Sequence, residues 1–364
     1  MTTAGRAVVS DGAGGYAVRD IEVDAPQAGE VLVRIEASGV CHTDTDLLGV
    51  PLPLVLGHEG AGVVEAVGEG VRTARVGDRV VLNWANPCGS CFQCVAGNRH
   101  LCERGSQLTG GMKGHAHVGG TTVDGANVIR AFNLGTMATH ALVQQGAVTP
   151  IPDATGFAAA AITGCGVMTG VGSALNAAKV VPGSSCVVLG CGGVGLNVIQ
   201  GCRIAGATTI IAVDPIEERR AMAVRFGATE AIAPAATVTE TAELVRLLLD
   251  GRGADYAFEA TAVPELAAEP LRMVRHGGTA IAVSGVEQEI TIDMRLFEWD
   301  KTYLNPLYGQ CRPERDFPRL FDLHARGLLL LDELVTRTYA LDDVAEAFAD
   351  MKAGRNAKGV LLLS

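Results

Sequence analysis

The chain of 364 residues is long enough for about two domains at roughly 150 residues each. Its 40 acidic residues against 29 basic ones leave a formal charge of −11, which argues against the broad basic face that nucleic acid or an anionic membrane selects. With 48% hydrophobic and 19% charged residues, a large core is available and wholesale disorder is excluded.

The opening stretch MTTAGRAVVSDG lacks the basic and apolar regions of a secretory signal, and no run of about 18 apolar residues suggests a membrane span. A cytoplasmic location is therefore expected, with no membrane and no nucleic acid as partner. In that compartment thiols stay reduced, so clustered cysteines point to metal or catalysis rather than disulfides. Residues 1–150 read as short strands between glycine turns, with apolar or alternating runs at 31–37, 62–68 and 78–82. The stretch 157–179, rich in Ala and Gly, is expected to hold two short helices. From Ser185 strands at 186–189, 209–213, 255–258 and 279–283 alternate with helices at 194–205, 216–226 and 239–250. Gly227 and Gly251 stop the last two helices. This alternation predicts an α/β fold with a doubly wound parallel sheet beside a β-rich region. A helix at 342–351 and a strand at 359–363 close the chain.

Gly190-x-Gly192-x-x-Gly195 directly follows the strand 186–189 and opens a helical stretch, and Asp214 ends the next strand nineteen residues after Gly195. Glycines permit a tight turn and let the backbone approach a pyrophosphate. The helix N-terminus adds free N–H groups and a positive dipole. A carboxylate at Asp214 would accept from a ribose diol and repel a 2′-phosphate, which favours NAD over NADP. The bland alternative is a structural strand–turn–helix.

Cys88, Cys91, Cys94 and Cys102 crowd into fifteen residues with spacing C-x2-C-x2-C-x7-C. Four thiolates make a closed tetrahedral zinc site, which is structural because no position is left for substrate. Cys41, His58 and Cys165 are far apart, so spacing says nothing about them. A Cys2His set would leave one zinc position open for water or substrate, whereas a buried histidine and two core cysteines explain the same residues equally well. His115 and His117 in the glycine-rich stretch 105–135 suggest solvated loop histidines before a further metal site.

The motifs GVCHTD, GHEG, the four-cysteine lobe, GCGVMTG, GCGGVG and VDPIEER occur in this order along essentially the whole chain. In this the chain resembles the zinc-dependent alcohol dehydrogenases of the medium-chain dehydrogenase/reductase superfamily. Within that family it is most similar to actinobacterial class III-like members, the mycothiol-dependent formaldehyde dehydrogenases and nicotinoprotein alcohol dehydrogenases. The resemblance implies a GroES-like catalytic domain over 1–166 and 310–364, a Rossmann NAD-binding domain over 167–309, two Zn²⁺ per chain, NAD, and a homodimer with a homotetramer as the alternative. It implies interconversion of primary alcohols, aromatic or allylic ones included, with aldehydes. A thiol-adduct formaldehyde dehydrogenase, a nicotinoprotein and a non-catalytic NAD(H)-binding protein are the alternatives.

Residue by residue, the resemblance makes Cys41, His58 and Cys165 catalytic zinc ligands and the four clustered cysteines structural ones. It makes Thr43 the hydroxyl that takes the alcohol proton, Asp44 the carboxylate orienting the zinc-bound histidine, and Glu59 an acid behind the zinc. Gly190, Gly192, Gly193, Gly195 and Asp214 match the dinucleotide site, and Arg219 the adenosine side. His42 and Lys358 match pyrophosphate contacts, Thr169 and Val194 flank the nicotinamide, and Trp84, Asn133 and Leu134 line the substrate pocket. Two positions depart from the family pattern. Asp46 stands where many dimeric members end their proton relay in a histidine, and Asn133 puts an amide where an apolar side chain is common.

Overall fold

The computed structural model describes residues 2–104, 120–286 and 288–363. His115 and His117 lie outside them. The chain divides into two compact units, one running to Cys165 and resuming at Arg312, the other Gly166–Cys311.

The first unit is built on two sheets. One runs, in spatial order, Ala126–Asn127, Thr121–Val123, Tyr16–Asp24, Thr2–Ser10, Leu54–Val55, Ile129–Arg130. Its strand pairs bury a cluster that includes Val9, Ile21, Val23, Leu32 and Leu142. The other runs Val148–Pro150, Arg79–Leu82, Gly60–Val67, Glu30–Gly39, Lys358–Leu362, Val335–Ala340. The long strand Glu30–Gly39 organises it. Its first half pairs with His140–Gln144 and its last residues with Lys358–Leu362, while Gly60–Val67 pairs along its other side. The ends of three neighbouring strands therefore deliver Cys41, Glu59 and Lys358 to one place.

The second unit holds a six-stranded sheet in the order Glu230–Ile232, Thr209–Val213, Ser185–Leu189, Ala254–Glu259, Val274–Ala282, Thr302–Leu304, with every described neighbouring pair parallel. Its central strands bury apolar side chains on both faces, Val187 and Ile211 on one and Val188 and Ala212 on the other, as burial under helices on both sides requires. The order reverses between Ser185–Leu189 and Ala254–Glu259. The loops leaving those two strands diverge there, which opens the crevice where such sheets bind ligands.

Two expectations need correction, and two short strands were not expected. Residues 157–179 form one helix, Phe157–Ala177, not two. Two wide π-helical turns, Thr163–Val167 and Ser173–Ala177, loosen it without breaking it. Among the described residues this helix is long and apolar enough to cross a membrane, but most of it is buried, as in a core helix. The helix expected at 239–250 is Val238–Leu248 and ends before Gly251. The edge strands Glu230–Ile232 and Thr302–Leu304 had no sequence signal, being three residues each.

Candidate active site

Cys41 follows the strand Glu30–Gly39 and caps the short helix His42–Asp46. Asp44 in that helix is fully buried and serves two groups at once. Its Oδ2 accepts from the Cys41 N–H at 3.0 Å, and its Oδ1 lies 2.9 Å from His58 Nδ1. The Asp44 oxygen facing Nδ1 occupies that nitrogen, which leaves Nε2 as the ring atom that would face a metal. Asp44's carboxylate, working against burial, raises the basicity of His58 well above the ordinary imidazole.

Cys165 lies in the π-helical turn Thr163–Val167. Next to it, a Cβ at Gly164 would sit 2.7 Å from the Leu82 carbonyl, so only glycine lets this turn touch the strand Arg79–Leu82. One donor atom from each of Cys41, His58, Glu59 and Cys165 lies within 4.8 Å of all the others. The two sulfurs lie within 4.8 Å of each other and interact. Bonding to Cys165 pulls Cys41 well below the ordinary thiol range, and the same bond pushes Cys165 up.

Glu59 is fully buried, and the Lys358 ammonium is 2.6 Å from its Oε1. Burial raises this carboxyl to about 7 against the pull of Lys358. Its Oε2 is buried without a hydrogen-bond partner. Two thiols, an imidazole and an orphaned carboxylate oxygen packed this closely are costly to bury alone, and they are the donor types that hold zinc. The residues fit the metal. Lys358, matched to the pyrophosphate by resemblance, is itself buried, with its charge on Glu59.

The second cluster is local. Cys88, Cys91, Cys94 and Cys102 place their sulfurs within 4.8 Å of one another. The Cys88 N–H points at Cys102 Sγ at 3.2 Å and the Cys91 N–H at Cys88 Sγ at 3.4 Å. Burial disfavours the Cys88 thiolate, but the N–H groups of Ser90 and Cys91 outweigh it and lower the thiol to about 6. Backbone donors aimed at sulfur suit a set of four thiolates on one ion.

Around the first cluster, Thr43 Oγ1 is 3.7 Å from Cys41 Sγ, while His42 and Asp46 are exposed on the same short helix. Trp84 and Leu134 are buried and Asn133 is half-buried. Sequence reading missed Phe132. Its ring centroid is 4.9 Å from that of His58 and 5.5 Å from that of Trp84, which joins a metal ligand to an expected pocket residue. Phe132 and Asn133 both hold positive φ, at 53° and 58°, a conformation no sequence pattern announced.

In the second unit, Gly190 has φ +87°, and a Cβ on Gly195 would sit 1.8 Å from the Gly190 carbonyl. Gly192 caps the helix Gly193–Ile204 and faces open space, so its missing side chain serves the outside of the turn rather than the core. Asp214 is buried, with its carboxylate on the N–H groups of Cys191 and Ile216 at 2.8 and 2.9 Å. Arg219 reaches to 4.0 Å of the same carboxylate. Gly170 packs against the Val194 carbonyl, which sets the helix Met168–Gly172, with Thr169, beside the start of Gly193–Ile204. The open turn, the N-terminus of a twelve-residue helix and the anchored acid fit a dinucleotide.

Residues 27–153 match the alcohol dehydrogenase GroES-like domain, and residues 193–326 match the zinc-binding dehydrogenase domain. The NDMA-dependent alcohol dehydrogenase of Amycolatopsis methanolica is 38% identical over 96% of this chain and 96% of its own. The chain belongs to the zinc-binding alcohol dehydrogenases. Among solved structures, a zinc-binding alcohol dehydrogenase domain protein from Burkholderia ambifaria superposes at a TM-score of 0.92 with 33% identity, covering all of both chains. The benzyl alcohol dehydrogenase of Acinetobacter calcoaceticus superposes at 0.90 with 30% identity, again over both whole chains. This alcohol dehydrogenase thus pairs a GroES-like domain with a Rossmann-type sheet.

Proposed function

We propose that this chain interconverts primary alcohols and aldehydes by hydride exchange with NAD, with catalysis at the Cys41–His58–Cys165 centre. A catalytic domain of residues 1–166 and 310–364 carries the chemistry, and a domain of residues 167–309 binds the dinucleotide. One observation carries the reading. The Asp44 carboxylate holds both the Cys41 backbone and the His58 ring, and Cys41, His58 and Cys165 cluster as a Cys2His donor set. When bound, zinc supplies Lewis acidity that eases loss of the alcohol proton, and NAD supplies the hydride acceptor.

The chain's own residues do the rest. Thr43 takes the alcohol proton at Oγ1, beside the ligand set. Asp46, three residues along the same short helix and exposed, hands it to solvent. Lys358 keeps its ammonium on Glu59 behind the ligands. Cys88, Cys91, Cys94 and Cys102 hold a structural zinc. Gly190, Gly192, Gly193 and Gly195 cradle the pyrophosphate, with His42 contributing from its exposed position. Asp214 takes the ribose diol with Arg219 beside it, and Thr169 and Val194 flank the nicotinamide. The rings of Trp84 and Phe132, with Asn133 and Leu134, favour an aromatic or allylic alcohol, in keeping with the benzyl alcohol dehydrogenase neighbour. We further propose a cytoplasmic homodimer formed through the edge of the parallel sheet near residues 284–308.

The Amycolatopsis relative is NDMA-dependent, which favours a second reading in which the dinucleotide stays bound through turnover. A substrate panel separates these readings. Benzyl alcohol oxidised with free NAD faster than ethanol or formaldehyde plus thiol supports the first. NADH absorbance that survives gel filtration, with turnover only on an added acceptor, replaces it with the second.

A further inference from the structure

The strand Ala254–Glu259 ends on a fully buried carboxylate. Glu259 Oε1 accepts from the Thr261 N–H, from the Thr261 hydroxyl at 2.6 Å and from the Ala262 N–H at 3.0 Å. Its Oε2 accepts from the Ser284 hydroxyl, whose oxygen in turn accepts from the Ala262 N–H at 3.0 Å. Four donors on one buried carboxylate offset the cost of removing its charge from water. Packing alone does not call for a charge here, since the residues paired with Glu259 on the flanking strands are Leu189 and Ala282. Glu259 ties the loop after its own strand to the loop after Val274–Ala282, at the carboxyl edge of the sheet.

The tied loop backs the glycine turn. The Ala260 N–H donates to the Leu189 carbonyl at 2.8 Å. A Cβ on Gly190 would meet Thr261 Cγ2 at 2.7 Å and the Ala260 carbonyl at 2.9 Å. Ala262 holds φ at 58°, a strained value for a residue with a side chain, which persists only where the surroundings fix it. The groups that fix it are Glu259 and Ser284.

We propose that Glu259 is a positioning residue for the nicotinamide dinucleotide. It anchors residues 260–262 as the back wall of the Gly190 turn and so holds that turn in its binding conformation. The inference rests on the proposed reading of the glycine turn as the dinucleotide site. NADH binding tests it, read as Kd or as dinucleotide retained per chain after gel filtration. Glu259→Ala is expected to weaken NADH binding by about tenfold or more, with KM for NAD rising far more than kcat falls. Glu259→Gln keeps an acceptor for the Thr261 and Ala262 donors and is expected to stay within about threefold of the unaltered protein. Ser284→Ala removes the tie between the loops and one of the two acceptors of the Ala262 N–H, and keeps Glu259. It is expected to cost about threefold, and it carries the test if Glu259→Ala does not fold. Unchanged NADH affinity in Glu259→Ala, or in Ser284→Ala where that variant stands in, overturns the proposal, whatever happens to Tm. Gly192→Val is the control, because its side chain fills the open space over the turn. If that variant too binds NADH normally, the dinucleotide-site reading falls as well.

Discussion

Asp44 is the residue on which the metal centre turns, since one buried carboxylate holds the backbone of one ligand and the ring of another. Asp44→Asn keeps the shape and loses the charge. Zinc is expected to be lost to a competing chelator about ten- to a hundredfold more readily, and zinc content after graded chelation checks this. Unchanged retention would mean that Asp44 only fills space. Gly195 is as tightly constrained. Gly195→Ala places a Cβ 1.8 Å from the Gly190 carbonyl, so unfolding in denaturant is expected to show a loss of about 2 kcal/mol or more. The four-cysteine lobe was legible at this scale because its ligands are local in the sequence. Cys41, His58 and Cys165 were legible as one ligand set only through the family resemblance, because their spacing says nothing and tertiary pairing brings them together. Phe132 was not legible, because its place depends on a left-handed backbone at 132–133 that propensity does not signal.

Among elements, the strands and helices with a clear period could be read to within a few residues. The exceptions have physical causes. The wide turns keep Phe157–Ala177 continuous where its Ala- and Gly-rich composition suggested two short helices. Three-residue edge strands carry too little pattern to detect. The C-terminal helix Val344–Lys352 shows what holds an element in place. Its Asp350 is buried and accepts from the Tyr339 hydroxyl at 2.8 Å, with Arg337 and Arg355 on the same carboxylate. The Tyr339 bond, then the two guanidinium groups, hold this carboxyl below its ordinary 3.8. A depressed carboxyl contributes all its stability above the unfolded value and loses it as pH falls through the folded one. Asp350→Asn is therefore expected to lower Tm at pH 7 and to flatten the decline of Tm below about pH 4. An unaltered acid profile would show that Asp350 does not drive acid loss of this helix.

For the whole molecule, the order of motifs along the chain carried more than any one of them. A Gly-x-Gly-x-x-Gly alone is a weak signal in a chain with 46 glycines. It became informative because a strand precedes it, a helix follows it and Asp214 ends the next strand, an arrangement the sheet order of the second unit reproduces. The β-rich region could be recognised as such, but its two sheets could not be ordered. Their pairing depends on Glu30–Gly39 accepting a strand from residues 358–362, at the far end of the chain. As proposed, Cys41, His58 and Cys165 hold a catalytic zinc distinct from the structural one. The direct measurement is zinc per chain together with alcohol oxidation and NADH binding in Cys165→Ala. The account predicts a fall from about two zinc ions per chain to about one, with oxidation lost and NADH still bound. Unchanged zinc content with alcohol oxidation retained would contradict it.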